Sequence, residues 1–124
     1  MSVDTDGTRA RAVMPELITA EDRERLFANS RAGEGDHLPV VKLFTPDAAA
    51  TWLITESDPD EPDRLFGLCD LGLGCPELGY ASLAEIIEVR GQLGLPVERD
   101  LHFVADKTLS AYADDARAKG RIVT

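Results

Sequence analysis

Short runs of apolar and β-branched residues recur through the middle of the chain, and each run is closed by turn-forming residues. In the third run, Leu65, Cys69 and Leu71 share one face. Phe66 and Leu68 share the opposite face, so both faces of the predicted sheet carry apolar side chains that need a cover. The pattern predicts five strands, at residues 40–44, 51–55, 64–71, 77–81 and 101–104.

Helical signals flank and interrupt these strands. Thr19 and Asp22 form a capping box that predicts a first helix over residues 20–32. Ser82 and Glu85 form a second capping box and predict a helix that begins at Leu83. The third predicted helix repeats apolar residues at helical spacing before a C-cap glycine, at Leu109, Tyr112, Ala113, Ala116 and Gly120.

Strands followed by helices, without strict alternation, predict an α+β fold. We expect an antiparallel β-meander of four to five strands with two or three helices packed mainly on one face. At 124 residues the chain suits one domain. Residues 1–16 predict a disordered arm, residues 17–120 the α+β domain and residues 121–124 a loose tail.

The charge is strongly negative and uneven. The formal net charge is -10, and residues 36–81 hold nine acidic residues against two basic ones. Nucleic acids and anionic membranes need Lys and Arg for neutralisation, so this balance disfavours both as direct partners. An acidic surface favours a partner with a basic surface, although acidity also serves solubility alone.

Seven carboxylates of the predicted meander are candidate contacts for a basic partner. Four of them crowd the predicted turn between the second and third strands, where a solvated turn is the plainer interpretation. A Ca²⁺ or Mg²⁺ site is disfavoured because the turn lacks the glycine and terminal glutamate of an EF-hand loop. The candidate contacts are Glu56, Asp58, Asp60, Glu61, Asp63, Asp70 and Glu77.

An enzymatic alternative rests on Asp70, Glu77 and His102 as acid/base groups. A carboxylate in an apolar strand can have a raised pKa and exchange protons with a substrate. Asp70 can equally cap the amides of the following turn, and a lone histidine is more often structural. The chain has neither a G-x-S-x-G elbow nor a phosphate-binding loop.

The two cysteines raise the question of a metal. Cys69 and Cys75 with His37 and His102 could supply four zinc ligands. Five residues separate the cysteines, which is wider than a zinc knuckle, and a buried thiol packs as a small apolar group. We therefore expect free thiols, no metal and no cofactor, in a cytoplasmic protein without a signal-peptide pattern.

Four aromatic residues of the meander are predicted core residues, because aromatic side chains bury the largest area. Any of them that is exposed on the sheet becomes a candidate interface anchor. They are Phe44, Trp52, Phe66 and Tyr80.

The segment FGLCDLGLGCPELGY at residues 66–80 holds four glycines, which indicate turns or close backbone approaches. This segment, together with VVKLFTPDA, TWL and LPVERDLHF, resembles the bacterial domain-of-unknown-function family number 2958. The resemblance runs from Leu38 to about Gly120 and leaves out the arm and the first helix. No catalytic residues are established in that family that could be transferred to this chain.

The resemblance implies a setting on plasmids and integrative conjugative elements, where small acidic proteins often counter host defences. We therefore expect an anti-restriction or anti-CRISPR inhibitor that occludes a nucleic-acid-binding surface, as a monomer or homodimer. Two alternatives stay open at this point. They are the small enzyme described above and an accessory subunit for plasmid maintenance or conjugation.

Overall fold

The computed structural model describes residues 16–33 and 35–124. Nearly all of the predicted arm, residues 1–15, lies outside the described residues. These described residues contain three helices, α1 (Ala20–Arg31), α2 (Leu83–Glu88) and α3 (Leu109–Lys119). The strands are β1 (Val41–Phe44), β2 (Thr51–Ser57), β3 (Arg64–Asp70), β4 (Glu77–Ser82) and β5 (Glu98–Arg99).

The five strands form one antiparallel sheet in the order β4-β3-β2-β1-β5. The first four strands pair with their neighbours in sequence, which confirms the meander and the α+β class. The two edges of the sheet differ in length. β4 offers six residues at one edge, whereas β5 pairs with β1 at only two positions.

Both faces of the sheet are covered by helices. On one face, Trp52 and Ile54 of β2 pack with Leu26 of α1 and Ile86 of α2. On the other face, Leu53 and Leu68 pack with α3 through Leu109, Tyr112, Ala113 and Ala116. Two of the three helices therefore share a face, as expected, and the C-terminal helix covers the opposite one.

The predicted caps at Thr19, Ser82 and Gly120 are confirmed, although Glu85 does not complete the second capping box. Thr19 Oγ1 accepts the Asp22 amide, and Asp22 Oδ2 accepts the Thr19 amide, which completes the capping box. Ser82 Oγ accepts the Glu85 amide at the start of α2. Gly120 caps α3 in the left-handed region at φ 75°.

A bulge in β2 turns polar groups of that strand toward α1. The register shifts between Ile54 and Glu56, so Thr55 is the extra residue, and its hydroxyl donates to the Phe66 carbonyl. The Asn29 side-chain amide of α1 donates to the Thr55 carbonyl at 2.9 Å. The bulge thus supplies acceptors that hold the helix against the sheet.

The last predicted strand is wrong. Leu101 and His102 form a turn, Phe103 and Val104 have no regular structure, and the strand that pairs with β1 lies earlier, at Glu98–Arg99. Asp100 ends the pairing because its Oδ1 accepts the His102 amide at 2.9 Å and turns the chain. Phe103 then packs against the α3 side of the sheet instead of extending it.

The tail after α3 is held against the sheet, in contrast to the loose tail that the sequence predicted. The Ile122 amide donates to Asp70 Oδ2 at 2.9 Å, and the Ile122 side chain packs with the α3 layer. Lys42 Nζ donates to Thr124 Oγ1 at 2.8 Å. Contacts this far apart in sequence leave no local signal in residues 121–124.

The glycines of residues 66–80 serve different purposes. Gly72 and Gly74 have positive φ values of 82° and 85° in the turn after β3. At Gly67 a Cβ would overlap the Leu53 carbonyl oxygen of the neighbouring strand. Gly79 is the cross-strand partner of Gly67, and a Cβ there would meet nothing within 4 Å.

This pair gives a matched test of the packing between β2 and β3. Gly67→Ala should lower the free energy of unfolding by about 1–3 kcal/mol, because the sheet must shift to admit the methyl group. Gly79→Ala should leave it unchanged or raise it slightly, since alanine costs less chain entropy than glycine. Urea unfolding of both variants measures the difference, and equal effects would contradict the close approach at Gly67.

Candidate functional site

The seven predicted contact carboxylates do not form one patch. Glu56, Asp58, Asp60, Glu61 and Asp63 lie where β2 passes into β3. Asp70 ends β3 and Glu77 begins β4, so both lie at the other end of these strands. The seven residues of β3 separate the two groups by about 20 Å, at about 3.3 Å per residue. The two groups of carboxylates are therefore separate features of the surface.

The turn between β2 and β3 is tightly hydrogen-bonded. The Asp58 amide donates to the Arg64 carbonyl at 3.1 Å, and the Arg64 amide donates to the Glu61 carbonyl at 2.9 Å. Asp58 Oδ1 also accepts the Asp60 amide at 2.9 Å, which closes an Asx-turn. Asp60 and Glu61 are exposed. The hydrogen bonds of the turn fix the shape of the backbone that carries these two side chains.

Arg23 of α1 fastens this turn to the body of the domain. Its Nη1 donates to Ser57 Oγ at 2.8 Å and to the Pro62 carbonyl at 2.7 Å. The Ser57 hydroxyl in turn donates to the same carbonyl. The guanidinium spans the two ends of the loop, so the position of the acidic turn depends on α1.

Asp63 points toward the start of α2 and acts as a helix cap. It accepts the Ser82 hydroxyl at 2.6 Å and the Ala84 amide at 2.7 Å. These hydrogen bonds, chiefly that of Ser82, hold the pKa of Asp63 below its ordinary value. Both of its oxygens are engaged within the molecule, whereas Asp58 uses only one, so Glu56, Asp58, Asp60 and Glu61 form the group that we call the acidic end.

Asp70 is a buried structural residue. It is 2% exposed, and its two oxygens accept the Gly72 amide at 2.8 Å and the Ile122 amide at 2.9 Å. The first of these bonds fixes the turn after β3, and the second holds the tail. Asp70 thus caps turn amides, the plainer of the roles that its sequence position suggested.

The acid/base residues of the enzymatic alternative do not come together, because His102 lies at the opposite edge of the sheet from Glu77. Glu77 lies on β4, at one edge, and is exposed. His102 follows β5, at the other edge, where its amide donates to Asp100. Four strand spacings of about 4.8 Å separate these edges. Asp70 lies near Glu77, but its two oxygens are occupied by the Gly72 and Ile122 amides, so the three residues do not form one acid/base group.

The thiols lie in different surroundings. Cys69 packs at the rim of the α1 side of the core, and burial, with a smaller effect of the Glu77 charge, raises its pKa. Cys75 is exposed in the turn after β3, and both thiols are free. Across residues 16–33 and 35–124, no three His, Cys, Asp or Glu side chains approach closely enough to hold a metal ion.

Tyr80 is the predicted aromatic residue that reaches solvent. Trp52 is buried, whereas the Tyr80 side chain is 64% exposed on β4. Its ring meets Phe66 edge to face at a centroid distance of 5.2 Å, and the Arg64 guanidinium stacks over it at 3.9 Å. Glu56 shares a shallow depression of about 110 Å³ with these three residues, so an aromatic platform adjoins the acidic end.

A larger open groove, of about 720 Å³, lies between α1, β5 and the loops at residues 36–40 and 103–105. On its floor, Arg99 Nη1 donates to Asp22 Oδ2 at 2.5 Å and to the Leu17 carbonyl at 3.2 Å. Arg25 Nη2 approaches Asp22 Oδ1 at 3.2 Å. No local sequence pattern predicts this groove, because its walls come from four separate segments of the chain.

The Asp22 carboxylate is 3% exposed and strongly hydrogen-bonded. Burial by itself would raise the pKa of Asp22, but the Arg99 guanidinium and the Thr19 amide and hydroxyl together hold it below its ordinary value of 3.8. Asp22 therefore serves both the helix cap and the contact between α1 and β5.

A family model described as "Protein of unknown function (DUF2958)" matches residues 17–123. The chain belongs to this family. The DUF2958 match confirms the resemblance and extends it to α1, which the resemblance had left out. No curated protein and no solved structure matches the chain. No helix of the described part of this DUF2958 protein is long and apolar enough to cross a bilayer.

Removal of the Asp70 side chain should lower the free energy of unfolding much more than removal of the Glu77 side chain. Asp70→Ala leaves the Gly72 and Ile122 amides without their acceptor, and we expect the free energy of unfolding to fall by about 1–3 kcal/mol. Glu77→Ala, an exposed change at the same end of the sheet, should alter it by about 0.5 kcal/mol or less. Chemical unfolding followed by circular dichroism compares them, and a silent Asp70→Ala would contradict the structural role.

The depressed pKa of Asp22 predicts a pH-dependent contribution to stability. The contribution is present above the unfolded pKa of about 3.9 and is lost as the pH falls through the lower folded value. Asp22→Asn should therefore be less stable than the parent at pH 7, with a gap that narrows below about pH 4. Unfolding curves at several pH values measure the gap. Glu21→Gln changes an exposed neighbour and should differ little in stability from the parent at any pH. A stability difference for Asp22→Asn that stays constant with pH would contradict the proposed contribution of the Asp22 carboxylate.

Proposed function

We propose that this DUF2958 protein is a small acidic binding protein that presents its acidic end to a basic protein surface. The observation that carries the proposal is the fixed turn between β2 and β3, where Asp60 and Glu61 stand exposed on a hydrogen-bonded backbone. A rigid group of charges loses little conformational entropy on binding. Arg23 keeps that group in a constant place relative to the sheet.

Electrostatics supports a cationic partner over a neutral one. The chain carries a net charge of -10, and the acidic end adds four carboxylates within a short stretch of surface. Such a field speeds the approach of a positively charged surface and favours it over other surfaces. Carboxylates at this site would occupy the Arg and Lys groups that otherwise contact phosphates.

We propose as the target a nucleic-acid-binding surface of a host defence complex, either a nuclease or a CRISPR effector, in the cytoplasm. The setting on mobile elements that the resemblance implies supports this choice. The protein would then act as an anti-restriction or anti-CRISPR inhibitor, without contacting nucleic acid itself. In this role Tyr80 and Arg64 would extend the contact beside the carboxylates.

The aromatic platform favours a second candidate, an accessory subunit for plasmid maintenance or conjugation. Tyr80 and Leu78 are exposed on the same face of β4 and would anchor an apolar contact. The two candidates differ in their response to salt. At 1 M salt the screening length is about 3 Å, so the attraction between exposed charges is weakened strongly, whereas apolar contacts are retained.

Neutralising the acidic end tests the main proposal. Asp60→Asn with Glu61→Gln should weaken binding to the captured partner by about tenfold, as expected for the loss of two exposed charge pairs of about 0.7 kcal/mol each. The partner is first captured from a bacterial lysate at low salt. Isothermal titration then measures its affinity, and a gel-shift assay measures whether the protein displaces DNA from it.

The matched control removes the same charge elsewhere. Glu98→Gln with Asp114→Asn changes two exposed acids on β5 and α3, and should leave the affinity nearly unchanged. Equal losses in both double variants would mean that only the net charge matters. Capture that survives high salt and needs Tyr80 would favour the accessory subunit.

A further inference from the structure

Two residues of the same groove each carry a buried nitrogen atom without a hydrogen-bond partner. Within the described part of the chain, three buried side-chain nitrogen or oxygen atoms lack a partner, and two of them are His37 Nε2 and Arg99 Nε. Both residues line the groove between α1 and β5. An unpaired buried polar atom is unfavourable. Arg99 Nε is a donor that needs an acceptor, and His37 Nε2 needs one when that nitrogen carries the imidazole proton.

The carboxylates of the groove are already satisfied. Asp22 accepts from the Thr19 amide and from two guanidinium groups, those of Arg25 and Arg99. Asp36 accepts the amide and the hydroxyl of Ser110 at the start of α3. Neither carboxylate needs a cation, so the groups left available in the groove are mainly hydrogen-bond donors.

Arg99 keeps donor capacity for a ligand. A guanidinium has five N–H donors, and the described residues provide acceptors for its Nη1 alone. Arg25 adds a second guanidinium whose side chain is 67% exposed at the groove. Arginine pairs bind carboxylate and phosphate groups through two parallel hydrogen bonds.

The remaining walls of the groove are mainly apolar. Phe103 contributes an aromatic ring, aliphatic residues come from the loops before β1 and after β5, and Ala28 and Asn29 come from α1. Leu38 and Val104 are exposed and would lose contact with water if a flat group lay against them. Val40 and Ala105 are half-buried, and Pro39 is buried.

We propose that this groove binds a small molecule in which a carboxylate or phosphate is joined to a flat apolar body. The oxyanion faces His37, Arg25 and Arg99, and the flat body lies against Phe103. This site is independent of the acidic end. It gives an otherwise acidic protein one place that is suited to an anion.

The two histidines of the chain make the test direct. His37 lines the groove, whereas His102 lies outside it, so the imidazole resonances report the site and an internal reference in one spectrum. The purified full chain is titrated separately with sodium benzoate, adenosine monophosphate and inorganic phosphate. The first two join an oxyanion to a flat body through a carboxylate or a phosphate, and the third lacks the body.

We expect benzoate or adenosine monophosphate to shift the His37 resonances saturably, with little change at His102. Arg25→Gln should weaken that binding by about threefold and Arg99→Lys by about tenfold, because lysine cannot form the paired contacts. Arg25 is exposed, so its variant carries the test if Arg99→Lys does not fold. His102→Gln should leave the affinity unchanged and identifies the reference signal.

Three results would overturn the proposal. The first is the absence of a saturable His37 shift with both organic probes. The second is equal binding of inorganic phosphate, which would remove the role of the apolar wall. The third is undiminished binding by the Arg25→Gln variant together with any folded Arg99 variant, which would remove the oxyanion contact.

Discussion

Burial of the central strand on both of its faces is the constraint on which this structure depends. β2 places Trp52 and Ile54 on one side of the sheet and Leu53 on the other. A sheet with two apolar faces needs a cover on each, and three short helices provide it. The disposition of α1 and α2 against α3 follows from this need, and so do the walls of the groove and the placement of the acidic turn.

Aspartate and glutamate have different roles in this acidic chain. Seven aspartates of the described residues accept backbone amides in caps and turns, whereas no glutamate side chain there accepts a hydrogen bond. The short aspartate side chain reaches its own backbone and that of nearby loops. Much of the acidity therefore maintains architecture. The aspartates are Asp22, Asp36, Asp47, Asp58, Asp63, Asp70 and Asp100.

The features that were predictable from sequence are those that neighbouring residues determine. The capping box at Thr19, the N-cap hydroxyl of Ser82 and the alternation along β3 have local signals, and the structure confirms them. The contact of Asp36 with Ser110 joins residues 74 positions apart, and no local pattern announces it. The same holds for the docking of the tail on Asp70, 52 positions away.

The same distinction between local signals and tertiary contacts applies to the candidate sites. A count of charges located the acidic turn but treated Asp63 and Asp70 as equal to Asp60, because orientation and burial are set by tertiary contacts. The groove was missed because His37, Arg99 and Phe103 are separately unremarkable in sequence. These residues come together beside α1 because β5 pairs with β1.

The unequal edges of the sheet limit how such molecules could join through backbone hydrogen bonds. Within the described residues, β4 presents six positions and β5 only two, so strand addition has one usable side. Two copies joined along β4 would leave only the short β5 edges at the outside. Growth would stop at a closed pair, and the topology disfavours an open-ended fibre.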